Sequence, residues 1–210
     1  MYIAIEGVIG VGKTTLVRAL RESFAADICL EVFEENPFLA RFYEDRERYA
    51  FQTQMFFLLS RYHQQRREIP GRILENRGNL ISDYTFDKDA IFARLNLNGD
   101  ELEMYFNIHT ALAEKIPQPD LVVYLKADTP VLMDRIAQRD RSYERNMEWA
   151  YIDELSHTYT DYFAGYSGDL LTIDTNGIDF VRSHDDLDEV ENRIRQALKL
   201  APFQSELPLE

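Results

Sequence analysis

Near the start of the chain, Gly7-Val8-Ile9-Gly10-Val11-Gly12-Lys13-Thr14 places two fixed glycines, a lysine and a hydroxyl in the spacing G-x-x-x-x-G-K-[ST]. Glycines let a backbone wrap until successive N–H groups point at one spot, and a helix starting beside Lys13 adds its positive end. Such a cradle suits the phosphates of a nucleoside triphosphate. The backbone of residues 7–15, Gly7 to Thr15, would hold the phosphates and Lys13 would reach the β and γ groups. The Thr14 hydroxyl would be a ligand of the accompanying Mg²⁺. The motif needs a strand before it and a helix after it, and the apolar run Met1-Tyr2-Ile3-Ala4-Ile5 and the helical spacing of Leu16, Val17 and Leu20 supply both.

A phosphate cradle leaves the acceptor open, and acceptor chemistry needs a carboxylate base and charge stabilisation for the transferred group. Glu31 sits among apolar residues in a predicted strand, where an unpaired charge is costly, so it is a candidate base. Glu34 and Glu35, just beyond, read equally as carboxylates at the phosphate edge or as a solvated acidic loop. Asp83, at the tip of Leu80-Ile81-Ser82-Asp83-Tyr84, is placed to hold the metal opposite Thr14; a helix N-cap is its plain alternative. In the predicted helix 50–66, Gln54 and Arg61 share a stripe with Phe51 and Leu58, and they either satisfy backbone groups in a packed core or read a nucleobase edge. Arg135, Arg139 and Arg141 crowd one window and would neutralise the transferring phosphoryl group from an arginine-rich lid, unless Asp134, Asp140 and Glu144 simply balance them on a surface helix.

These side chains must be carried by alternating strands and helices. Strands are predicted at 2–6, 28–33, 79–84, 121–126 and 169–174, with helices between them, including 87–96, 149–166 and 185–200. The pattern predicts an α/β fold with a five-stranded parallel sheet, helices on both faces, and the site at the carboxyl ends of the strands. A chain of 210 residues with 45% apolar content reads as one domain over 1–200 with a lid at about 138–148; residues 201–210, with Pro208, read as a flexible tail.

Composition narrows the partners. A formal net charge of -14 argues against a nucleic acid polymer, which needs clustered Lys and Arg. The single Cys29 precludes an internal disulfide, the four histidines lack zinc spacing, and no apolar stretch spans a membrane, so a soluble cytoplasmic protein is expected.

Two segments carry a more specific likeness. Asn36-Pro37-Phe38-Leu39-Ala40-Arg41-Phe42-Tyr43 and Phe51-Gln52-Thr53-Gln54-Met55-Phe56-Phe57-Leu58-Leu59-Ser60-Arg61-Tyr62 resemble the N-P-[YF]-L-x-x-F-Y and F-x-x-[QE]-x-[YF]-F-L-x-x-R-[YF] segments of the bacterial deoxyadenosine/deoxyguanosine kinases, relatives of deoxycytidine kinase. The likeness runs from about residue 2 to 200 and implies a P-loop kinase three-layer fold. It also implies transfer of the γ-phosphate of ATP or another triphosphate to the 5′-hydroxyl of a purine deoxynucleoside in nucleotide salvage. By this resemblance Glu31 is the base, Gln54 reads the nucleobase, Arg61 is the family's helix arginine, Tyr43 and Glu144 hold the 3′-hydroxyl, and Asp89 lies near the base. The family's Asp-Arg-Ser motif falls on Asp83-Tyr84-Thr85, so its arginine is replaced by Tyr84, as in the deoxyguanosine kinase branch, with Lys88 or a lid arginine as the substitute. Gln54 instead matches the deoxyadenosine kinase branch. The resemblance implies a homodimer, which the apolar stretch 101–116 permits. Two alternatives remain at this stage, a thymidylate-kinase-like enzyme acting on a nucleotide and a non-catalytic partner subunit.

Overall fold

The computed structural model describes residues 1–32, 35–75, 78–145 and 147–202. Five parallel strands form one sheet in the order β2-β3-β1-β4-β5: β1 Tyr2–Gly7, β2 Asp27–Cys29, β3 Leu80–Ser82, β4 Leu121–Lys126 and β5 Leu170–Asp174. Every residue of β1 is buried, as the apolar run before the cradle requires of a central parallel strand covered on both faces. It pairs with β3 from Tyr2 opposite Leu80, and with β4 from Ile3 opposite Leu121 to Gly7 opposite Leu125.

The helices are α1 Lys13–Leu20, α2 Leu39–Glu44, α3 Arg46–Glu75, α4 Lys88–Asn96, α5 Gly99–Ala113, α6 Thr129–Arg139, α7 Trp149–Ala164 and α8 His184–Ala197. Leu16, Val17 and Leu20 of α1 are fully buried, so the 3.6-residue spacing seen in the sequence is the core face. Ser183 caps α8, its hydroxyl accepting the Asp186 N–H at 3.2 Å.

Two expectations about elements change. β2 is shorter than 28–33: it pairs with β3 only from Asp27 to Cys29, and the Glu31 N–H is taken by the Asp83 carboxylate at 2.7 Å instead of a ladder carbonyl. Glu31 therefore lies two residues beyond the strand, and Phe33 and Glu34 lie outside the described residues. The helix predicted at 50–66 runs 30 residues and continues through Pro70, with Gln52, Leu59 and His63 exposed. The end of the predicted tail, 203–210, also lies outside the described residues.

Candidate active site

The carboxyl ends of β1 and β3 and the start of α4 converge on a cavity of about 300 Å³. One wall is the phosphate cradle. Gly10 and Gly12 have φ of 88° and 104°, a region that favours glycine, and a Cβ at Gly12 would stand 2.8 Å from the Phe180 ring. Lys13 folds back in this state, its ammonium donating to the carbonyls of Gly7 at 2.6 Å and Val8 at 3.0 Å. Burial, then the charge of nearby Lys88, pull Lys13 down to about 7 against the opposing influence of Glu6, Glu31 and Asp83.

Thr14 and Asp83 meet as the sequence predicts: the hydroxyl donates to Asp83 Oδ2 at 2.5 Å, and both residues line the cavity. One hydroxyl and one carboxylate are hard oxygen donors on the phosphate side. That set fits Mg²⁺, which holds few protein ligands and completes its shell with phosphate oxygens and water. No group of three or more His, Cys, Asp or Glu side chains that could hold a metal ion is found among the described residues.

Opposite the cradle, three elements far apart in sequence form one charged network. Arg61 on α3 bonds Glu31 Oε1 and pairs with Asp89 on α4, while Lys88 Nζ bonds Glu31 Oε2. Burial alone would raise the Glu31 carboxyl, but Lys88 and then Arg61 outweigh it and hold the group well below the usual carboxylate range. Glu31 is thus an ionised acceptor facing the cavity. Gln54 is 2% exposed, and its side-chain carbonyl has no hydrogen-bond partner among the described residues. A buried amide left unsatisfied beside a cavity is a group prepared for a ligand.

The end of the cavity near the 3₁₀ turn is closed by Glu144, 4% exposed, which accepts from Arg139 Nε at 2.7 Å and Nη2 at 2.5 Å, with Arg141 Nη1 at 3.7 Å. Tyr143 of the 3₁₀ turn Ser142–Glu144 lies near-parallel to Tyr43 of α2, with ring centroids 6.3 Å apart, so the segment after α6 touches α2. Burial raises the Tyr43 hydroxyl well above its ordinary value and keeps it a donor.

Ile9, Gly10, Gly12, Lys13, Thr14, Thr15, Glu31, Tyr43, Gln54, Arg61, Asp83, Asp89, Arg139, Arg141 and Glu144 all line this cavity. Gly7, Val8 and Val11 support it from behind; Val8 and Val11 are buried. Two further expected members do not line it. Arg135 turns to the loop after β5, donating to the Thr175 hydroxyl at 3.0 Å and the Thr175 carbonyl at 2.7 Å; that carbonyl cluster outcompetes an open cavity for its five N–H groups. Tyr84 is fully buried, with its hydroxyl donating to Gln64 at 2.6 Å and its ring 5.7 Å below the Arg61 guanidinium. The polar stripe of α3 also differs, since Phe57 lines the cavity with Gln54 and Arg61 while Leu58 faces the core. Arg18, Leu39, Phe92, Tyr143 and Lys88 complete the lining. Phe57 and Phe92 were legible in principle, each standing three residues after a polar cavity residue, Gln54 and Asp89, on the same helix face.

The family model for deoxynucleoside kinase matches residues 3–199. A deoxyguanosine kinase of Bacillus subtilis is 34% identical over 202 residues, covering 94% of this chain and 97% of the relative. A deoxyadenosine/deoxycytidine kinase of the same organism is 27% identical over 205 residues, covering 93% and 92%. Among solved structures, a deoxyadenosine kinase from M. mycoides with dCMP and a flexible dCDP bound superposes with a TM-score of 0.81 at 25% identity, covering 93% of this chain and all of that one.

Proposed function

The chain belongs to the deoxynucleoside kinase family, and from that premise we propose that it transfers the γ-phosphoryl group of ATP, or another nucleoside triphosphate, to the 5′-hydroxyl of deoxyadenosine or deoxyguanosine in nucleotide salvage. The observation that carries the reading is Glu31, held ionised by Arg61 and Lys88 in the same cavity as Lys13 and Thr14. The hydroxyl proton passes to Glu31, the 5′-oxygen forms its bond to phosphorus, and the bond from phosphorus to the departing diphosphate breaks.

Each remaining residue has a part in positioning or charge neutralisation. Gln54 and Asp89 face the base, with Phe57 and Phe92 as apolar walls; Tyr43 and Glu144 take the 3′-hydroxyl; Arg61 fixes Glu31 and Asp89. The cradle from Gly7 to Thr15 holds the donor phosphates, and Lys13, Arg139 and Arg141 meet the moving charge. Mg²⁺, held by Thr14 and Asp83, would draw negative charge from the phosphate oxygens. A purine preference is supported by the relative named deoxyguanosine kinase, while the second relative is named for deoxyadenosine and deoxycytidine together; the unpaired Gln54 carbonyl, beside its own amide donor, suits a purine edge. Membership of this family sets aside the nucleotide-kinase alternative, and full-length relatives named as kinases weigh against a non-catalytic subunit.

The proposal extends to one domain over 1–200 with a lid at about 138–148, in a cytoplasmic homodimer. The dimer follows the family resemblance, and the apolar stretch that permits it forms α5, where Met104 is 53% exposed. No helix of the described residues is long and apolar enough to cross a membrane.

The test is an assay of Mg²⁺-ATP with the four deoxynucleosides and their 5′-monophosphates. Turnover greatest on deoxyadenosine or deoxyguanosine is expected. Turnover confined to pyrimidines would overturn the preference, and turnover confined to monophosphates would overturn the acceptor.

A further inference from the structure

At the tip of β3 the chain presents Asp83-Tyr84-Thr85, and the side chain between the metal-side carboxylate and the threonine is directed away from the chemistry. Tyr84 supplies no cation. Its hydroxyl is used by Gln64 and its ring forms a floor beneath Arg61. The acceptor end of the cavity nevertheless contains an ammonium, that of Lys88, the first residue of α4.

Lys88 is 6% exposed, which is exceptional for a lysine without a partner. Its partner is Glu31. The two carboxylate oxygens of Glu31 are divided between two cations from different helices, Oε1 to Arg61 and Oε2 to Lys88. Arg61 is spoken for on its other side by Asp89. Lys88 is not: among the described residues Glu31 is its hydrogen-bond partner, so an ammonium with three donors keeps two for the cavity. A compact charge on a flexible stem suits a group that must stay on Glu31 while following an oxygen whose charge changes.

We propose that Lys88 is a catalytic residue of the acceptor end: its ammonium holds the Glu31 carboxylate in place through Oε2 and donates a second hydrogen bond to the acceptor oxygen as that oxygen's proton leaves for Glu31. The position of Lys88 explains how the chain dispenses with a cation at residue 84. The same ammonium, with Arg61 from α3, holds the Glu31 carboxylate ionised, while Asp83, just past β3, accepts the Glu31 backbone N–H.

This inference rests on the reading of Glu31 as the base, so the test compares Lys88→Met, Lys88→Arg and Glu31→Gln with the wild type under Mg²⁺-ATP. Lys88→Met is expected to lower kcat about 100-fold, the scale of losing one preorganised donor at a developing charge, with the KM for deoxynucleoside changing far less. The acid limb of its kcat/KM profile moves up, by about 1–3 pH units for loss of an opposite charge in contact. Lys88→Arg, which restores a cation, recovers part of the lost turnover. A ¹³C NMR titration of the Glu31 carboxyl, which needs no turnover, rises in Lys88→Met.

Lys88→Met with near-normal kcat beside an inactive Glu31→Gln overturns the role of Lys88 and leaves the function standing. Near-normal kcat in both variants overturns Glu31 as the base as well. Equal losses in Lys88→Met and Lys88→Arg, accompanied by lower melting temperatures and an unmoved Glu31 titration, reduce Lys88 to a packing residue.

Discussion

Glu31 and Lys13 face each other across the cavity with their ionisation displaced in ways that suit their tasks. Lys13, drawn down to about 7 by burial and by Lys88, is part neutral in the free protein at neutral pH, and a bound triphosphate favours its charged form. The sign follows directly: above pH 7 the free protein lacks a proton that the complex holds, so ATP binding takes up protons at pH 8 and few at pH 6. Calorimetry in two buffers of different ionisation enthalpy measures that uptake, and equal apparent enthalpies at pH 8 would contradict it. Glu31 lies below its ordinary range, so it is charged well into acid. Glu31→Gln keeps the shape and removes the base; turnover falls by about 10²–10⁴, the usual contribution of a positioned acid or base, while deoxynucleoside still binds in a titration. Near-normal turnover would exclude Glu31 as the base.

At the level of elements, the site is held by segments that touch one another across the top of the sheet. α6 carries Arg135 and Arg139 one turn apart, yet they serve different ends: Arg139 binds Glu144 in the lid, and Arg135 ties α6 to the turn at Thr175 and, at 3.3 Å, to the carbonyl of Ile178. That turn leads to Phe180, whose ring lies against Gly12 of the cradle. Arg135→Ala therefore frees the loop bordering the phosphates. We expect a KM for ATP raised several-fold, a smaller change in the KM for deoxynucleoside, and a melting temperature lowered by loss of buried hydrogen bonds each contributing about 1 kcal/mol. An unchanged KM for ATP together with a collapsed kcat would instead return Arg135 to the reacting phosphoryl group. The same elements show why sequence spacing read the lid only in part: two arginines four residues apart share a helix face, but which partner each finds depends on the chain that packs above it.

Over the whole molecule, one apolar core joins the sheet to α1, α3 and α7, and the reactive groups sit where that core ends. Leu58 is fully buried on α3, one residue from exposed Leu59. Leu58→Ala should destabilise the fold by about 2–5 kcal/mol, the range for a large-to-small change in a packed core. Leu59→Ala should cost the monomer under about 0.5 kcal/mol, and denaturant melts of the two variants separate the cases; equal losses would mean that α3 is covered on both sides. The sequence by itself determined the glycine turn between β1 and α1, the parallel sheet and the placing of Asp83 opposite Thr14. Those depend on contiguous patterns: a glycine spacing, apolar runs flanking turns, and a residue at a strand tip. Only the tertiary structure decided that Glu31 stands beyond a shortened β2, that Tyr84 turns inward and Arg135 away, and that Lys88 shares Glu31 with Arg61. Side-chain direction outside regular strands is set by whichever distant polar group offers the missing hydrogen bond, and that partner is chosen by packing, not by spacing along the chain.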